Sequence, residues 1–200
     1  MRVMHVTFDM RIGGTEMVIK NIIEGNSDAN IEMSIYCIEA PLGPWGEDLK
    51  ASGTPIAVEE RQPGFDRSLI SKIRKHIKDN DIDILHCHQY TPWVYGTLAA
   101  AFTKTKVIFT EHGRFYPDSS SWKRKLVNPV LNNFTSAVTA ISEATRDALV
   151  EFECIKKSDI DVVYNGIKPL EPSTGELSAL KISLGLPENA LVFGTVARLD

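Results

Sequence analysis

Val107-Ile108-Phe109-Thr110-Glu111-His112-Gly113 decides how this chain is read. An apolar run rich in β-formers ends in a polar turn that presents a carboxylate and an imidazole side by side before a glycine. Such a run, bounded by a turn signal, predicts a buried strand. In an open α/β sheet, ligands sit outside the carboxyl ends of the strands. If the flanking sequence alternates strands with helices, His112 stands at the mouth of a crevice.

Upstream, the alternation holds. Residues 81–88, Asp-Ile-Asp-Ile-Leu-His-Cys-His, predict a strand with a polar end. Thr91-Pro92 then predicts an N-cap with proline at the first helical position. Before it, Asp66 is placed to cap a helix over residues 67–80, whose Leu69, Ile70, Ile73 and Ile77 form one apolar stripe. Residues 2–8 predict a first strand, Gly13-Gly14 a turn, residues 16–25 a helix and residues 31–38 a second strand. Residues 40–46 predict a loop, 47–52 a short helix and 56–58 a short strand.

Downstream, residues 122–134 have helical spacing that Pro129 is expected to kink or split. Residues 137–141 predict a sixth strand, Ser142 caps a helix through Phe152, and residues 161–164 predict a seventh strand before Asn165-Gly166. A proline-rich polar stretch then precedes one more helix and an apolar run at 191–196. The fold class expected is α/β: a Rossmann-like, doubly wound, mostly parallel sheet of about seven strands with helices on both faces. The expected organisation is residues 1–168 as the first domain, 169–175 as linker and 176–200 as the severed start of a second. One helix and one strand cannot bury a core by themselves.

Composition narrows the function. The 200 residues are 43% hydrophobic and 24% charged, with a net charge of −4, which disfavours a nucleic-acid binder. Cys37, Cys87 and Cys154 are an odd set inside apolar runs and predict free thiols in a reducing compartment. No apolar run approaches the roughly 20 residues of a membrane span, so a cytoplasmic protein is expected.

Each candidate residue has two readings. Gly13-Gly14 is either a plain tight turn or a place where backbone N–H groups approach an anion at a helix N-terminus. The full G-x-G-x-x-G fingerprint is absent. His86 and His88 share one face of a strand and could chelate a metal, but no third ligand is evident at suitable spacing. The other reading puts one inside the sheet end and the other in the crevice. His112 could hydrogen-bond a ligand or accept a proton, or simply bond local backbone. Trp122-Lys123-Arg124-Lys125 reads as a solvated helix face or as a contact for anionic lipid. Arg198, beyond an apolar strand, is either a phosphate clamp or a surface arginine.

Five pieces together resemble the N-terminal portion of family-4 glycosyltransferases, retaining sugar-nucleotide enzymes with two Rossmann-like domains (the GT-B fold). They are Gly13-Gly14 after the first strand; Asp83-Ile84-Leu85-His86-Cys87-His88; Thr110-Glu111-His112-Gly113; Tyr164-Asn165-Gly166-Ile167; and Leu184-Gly185-Leu186-Pro187 leading to Gly194-Thr195-Val196-Ala197-Arg198-Leu199. The resemblance implies that Gly13, Gly14 and Arg198 bind the donor diphosphate and that His112 orients the transferred sugar. It implies acceptor contacts at His88, Glu111 and Tyr116, with no cofactor and no metal. The partners implied are a nucleotide-sugar donor and a glycan or lipid-linked acceptor, with peripheral membrane contact and no nucleic acid. A hydrophobic rim of Trp93, Phe115 and Trp122 would serve a lipid. The activity implied is of the hexosyltransferase type in the full-length protein, with residues 1–200 alone inactive because the rest of the donor domain is missing. The rival readings are another GT-B enzyme, such as a nucleotide-sugar epimerase, and a non-catalytic α/β binding module.

Overall fold

Seven strands that alternate with helices along the chain can pair side by side only if each connection crosses a face of the sheet, and right-handed crossovers fix which face. The computed structural model follows this rule; it describes residues 1–113, 121–167, 169, 177–187 and 189–195. The strands are β1 (Arg2–Thr7), β2 (Glu32–Cys37), β3 (Ile56–Val58), β4 (Ile84–His88), β5 (Lys106–Glu111), β6 (Ala137–Ala140) and β7 (Ile160–Val162). Their order across the sheet is β3-β2-β1-β4-β5-β6-β7, and every pairing is parallel. The connecting helices are α1 (Gly14–Gly25), α2 (Pro44–Ala51), α3 (Arg67–Asp79), α4 (Tyr90–Ala100), α5 (Trp122–Asn133) and α6 (Glu143–Glu153).

Two cores lie on opposite faces. The larger joins Leu69, Ile73 and Ile77 of α3 and Trp93 of α4 to Met4, Leu85, Cys87, Val107 and Phe109 of the sheet. Each such fully buried side chain contributes roughly 1.5–3 kcal/mol. The smaller joins Ile19 of α1 and Leu49 of α2 to Ile35 and Cys37 of β2. Asp66 caps α3 as expected, accepting from the N–H groups of Ser68 and Leu69, and Ser142 caps α6 by accepting from Thr145 N–H.

Four local expectations are corrected. Helix α2 starts at Pro44 rather than Glu47, because proline suits a first turn whose N–H groups have no helical partner. Helix α4 starts at Tyr90 with Gln89 as its cap, so Thr91 and Pro92 lie inside the first turn. Helix α5 runs unbroken through Pro129. Trp93 belongs to the core and not to an exposed rim: it is 0% exposed, stacks on Phe109 with centroids 4.6 Å apart and donates its Nε1–H to Thr135 Oγ1 at 2.8 Å.

The chain divides into two units, residues 1–166 and 167–200. Within the second, α7 (Leu177–Ser183) ends where Gly185 takes φ +65° and the Leu186 N–H returns to Lys181 O, a Schellman-type stop. Leu180, Ile182 and Leu184 stay exposed. Among the described residues, 191–195 make no strand pairing. An apolar run becomes a strand only where a neighbouring strand satisfies its N–H and C=O groups.

Candidate active site

The winding direction reverses at β1, whose neighbours are β2 on one side and β4 on the other. Crevices open at such switch points, outside the carboxyl ends of the strands. Here the strands that should be uniformly apolar are not. His5 pairs in register with His86, and His88 with Thr110. Side chains two apart share a face, so His5, His86, His88, Thr110 and His112 all point to one side. Because His5 also registers with Ile35, that side is the one carrying the smaller core.

The imidazoles touch one another. His5 Nδ1 lies 2.9 Å from His88 Nε2, and His88 Nδ1 lies 2.8 Å from His112 Nε2. His86 Nε2 bonds Thr110 Oγ1 at 2.7 Å, and Thr110 Oγ1 meets Thr139 Oγ1 at 2.6 Å. Burial, reinforced by the neighbouring His86, pushes the His5 pKa down to about 3. Burial pushes His86 and His112 down to about 4 and His88 well below its ordinary value. All four rings are therefore neutral at neutral pH.

The expected site residues fall into place unevenly. His112 is half-buried at the end of β5, with Nδ1 enclosed and unbonded among the described residues. His88 is 0% exposed and uses both ring nitrogens on histidines, so its ring backs His112 instead of facing an acceptor. Glu111 is 3% exposed and its carboxylate accepts the His112 N–H at 3.1 Å. That pins the strand end from the opposite face, as alternation requires. Tyr116, Phe115 and Arg198 lie outside the described residues.

Gly13 and Gly14 separate in role. Gly13 caps α1, and a Cβ built there would sit 2.1 Å from Glu16 Oε2. The Glu16 carboxylate folds back over the helix start, where the dipole favours an acid, and occupies the space that a side chain at Gly13 would take. Desolvation raises the Glu16 pKa. A Cβ at Gly14 would meet nothing within 4 Å, which leaves that backbone open to approach.

Three residues escaped the sequence reading. His5 passed as strand filler; only its register with His86 reveals it as the third imidazole, and ligand atoms of His5, His86 and His88 lie within 4.8 Å of one another. Gln89, directly after His88, holds φ +70° and ψ 168°, a conformation costly for a non-glycine residue and one that concentrates at functional sites. Arg11 stands in the loop after β1, its Nε on Asp9 Oδ2 and its backbone N–H on Asp9 Oδ1, both at 2.8 Å. A hollow at the other end of the sheet, beside Arg2, Glu32 and Asn80, is away from this chemistry.

A family model described as Glycosyltransferase Family 4 matches residues 12–169. The chain belongs to this family. In its sheet Gly14 follows β1, His88 ends β4 and His112 follows β5. Among solved structures, Anabaena Alr3699/HepE in complex with UDP-glucose is similar at 20% identity and TM-score 0.73, over 92% of this chain and 50% of that one. A glycosyltransferase from Rickettsia africae is similar at 19% identity and TM-score 0.73, over 94% and 50%. A UDP-GlcNAc 2-epimerase from Methanocaldococcus jannaschii is more distant, at 19% identity and TM-score 0.50 over 82% and 45%. At these identities the likeness speaks for the fold, one half of a GT-B architecture. The glycosyltransferase domain spans about half the length of the HepE and Rickettsia structures. No curated protein sequence matches it.

Proposed function

We propose that the full-length protein moves a hexose from a nucleotide-sugar donor to a glycan or lipid-linked acceptor with retention of configuration. Residues 1–168 form the acceptor-side domain and residues 176–200 begin the donor-binding domain. The observation that carries this reading is the placement of His112, backed by His88 and pinned by Glu111, at the carboxyl end of β5 in a glycosyltransferase-family sheet. His112 hydrogen-bonds the transferred sugar. The open backbone at Gly14 and the guanidinium of Arg198 meet the diphosphate, whose charge grows as the sugar leaves. Preorganised donors facing that charge lower the barrier, so no divalent metal is required. A UDP-sugar is the first donor class to test, because HepE is found with UDP and UDP-glucose.

Peripheral membrane contact fits helix α5. Trp122, Leu126 and Val130 recur every four residues and are 69%, 65% and 55% exposed. Lys123 and Lys125 flank them, and the helix has no acidic residue. An apolar stripe edged by lysines is the pattern of an interfacial helix.

The test is a donor screen on the full-length protein with the product weighed by mass spectrometry, run beside Gly14→Ala. The methyl group meets no protein atom and alanine suits a helix better than glycine, so thermal stability should hold or rise. The KM for the donor should increase about tenfold, the loss of one or two phosphate contacts worth about 1.4 kcal/mol. Unchanged KM would remove Gly14 from the donor site, and no sugar transfer with any donor would remove the transferase reading. Residues 1–200 alone should give no transfer, and measurable turnover by them would contradict the need for both domains.

A further inference from the structure

Three imidazoles joined end to end are not equivalent to three separate ones. A neutral imidazole has one N–H and one lone pair. His88 shares a proton with His5 at its Nε2 and with His112 at its Nδ1. If it accepts at one nitrogen it must donate at the other, so a neutral chain has only two states, and each fixes all three tautomers.

The two states differ at the ends. With protons running from β1 toward β5, His5 donates from Nδ1, His88 donates from Nδ1, and His112 accepts at Nε2. The His5 Nε2 is then a bare lone pair and the His112 Nδ1 carries a proton. With protons running the other way, His5 Nε2 carries a proton and His112 Nδ1 is bare. Both end nitrogens are enclosed without a partner among the described residues. Their surroundings are unequal. His5 is 1% exposed, in the middle of β1 between β2 and β4. His112 is half-buried at a strand end beside Gly113. A buried N–H with no acceptor is rarer in folded proteins than an acceptor with no donor. The spare proton therefore belongs at the partly exposed strand end, where His112 stands, and not in the middle of β1.

We propose that His5, His88 and His112 form a one-directional chain of N–H···N hydrogen bonds that holds His112 as its Nδ1–H tautomer, so that it meets a ligand as a hydrogen-bond donor and not as a base. His5 and His88 are positioning residues for His112, acting through the chain without touching the ligand. The identity of that ligand as a sugar hydroxyl rests on the transferase reading, whereas the tautomer does not. The His86–Thr110–Thr139 bonds form a separate branch that leaves the chain undisturbed.

The test is long-range proton–nitrogen correlation NMR on the full-length protein labelled with 15N-histidine at pH 7.5, with a scan for couplings across the N···N bonds. The expected result is a protonated Nδ1 and a bare Nε2 for both His88 and His112, with couplings linking His5 Nδ1 to His88 Nε2 and His88 Nδ1 to His112 Nε2. In free neutral histidine the Nε2–H form is the major one, so this outcome is not the default. His88→Phe, which removes the ring bonded to His112 Nε2, should release His112 to a mixture dominated by Nε2–H; His5→Gln, which keeps a donor facing His88, should preserve the wild-type tautomer and covers a folding failure of the first variant. A wild-type His112 with its proton on Nε2 would overturn the chain. So would saturable Zn²⁺ binding that strips the shared proton between His5 and His88. If the tautomer holds while no nucleotide sugar binds, the transferase reading fails and the chain stands.

Discussion

Replacing His112 by alanine in the full-length protein is expected to lower kcat for sugar transfer about 10²-fold while changing the donor KM less than threefold. Losing one preorganised donor at a site of developing charge typically costs about 10²–10³ in rate. The lower end applies because the contact proposed for His112 is with the sugar and not with the leaving oxygen. Truncation also leaves His88 Nδ1 without its partner at 2.8 Å. Since His112 is half-buried, water can replace the ring, and the stability lost should stay near 1 kcal/mol. Steady-state kinetics and a thermal melt of the same preparation separate the two effects. A variant with wild-type kcat would reduce His112 to a structural histidine, and a variant that is inactive only because it is unfolded shows itself in the melt.

Acid should unfold the chain early. Four of its five histidines face one another in the sheet, and burial holds His5 near pKa 3 and His86 and His112 near 4, with His88 also well below its ordinary value. In the unfolded chain each takes a proton near pH 6.5. Between about 6.5 and 4 the unfolded state therefore binds more protons, and stability rises with pH in that window and falls as pH drops through it. Each group contributes up to about 1.4 kcal/mol per pH unit. Neighbouring charges couple the set, so the combined loss from pH 7 to pH 5 is on the order of 5 kcal/mol, comparable with the whole stability of many domains. Urea midpoints at pH 7.5, 6.5, 5.5 and 5.0 measure it, and the slope should flatten below about pH 4. A His5→Phe chain should lose less over the same range. A midpoint that does not move between pH 7 and pH 5 would mean that the rings are not held neutral by the fold.

The sequence made the sheet legible because its strands are short apolar runs set between capped amphipathic helices. Asp66 before the Leu69–Ile73–Ile77 stripe and Ser142 before Glu143 needed no tertiary knowledge. What failed was local. Pro129 is expected to kink or split its helix, yet α5 is not split there, and Trp93 fits a rim only because its indole gives no hint of which face of α4 meets Phe109. The site was half legible. His112 follows a strand, and position alone marks it. His5 could not be placed, because nothing in residues 2–7 says that β4 will lie beside β1 in the register that sets His5 beside His86. Gln89 was invisible for a related reason: a positive φ in a residue other than glycine is imposed by the joined strand and helix, not by the residue.

The alternation in β4 has a consequence for how the sheet assembles. A parallel strand buried on both faces carries weak instructions for its register, since an apolar side chain is equally at home above or below. In β4, Leu85 and Cys87 belong to the larger core while His86 and His88 face their imidazole partners. A slip by one residue would drive two imidazoles into that apolar core with no acceptor, and would strand leucine and a thiol among polar rings. Burying an unbonded polar group costs several kcal/mol. The histidines thus act as a key cut into the strand, rejecting misaligned pairings during folding before any ligand is present.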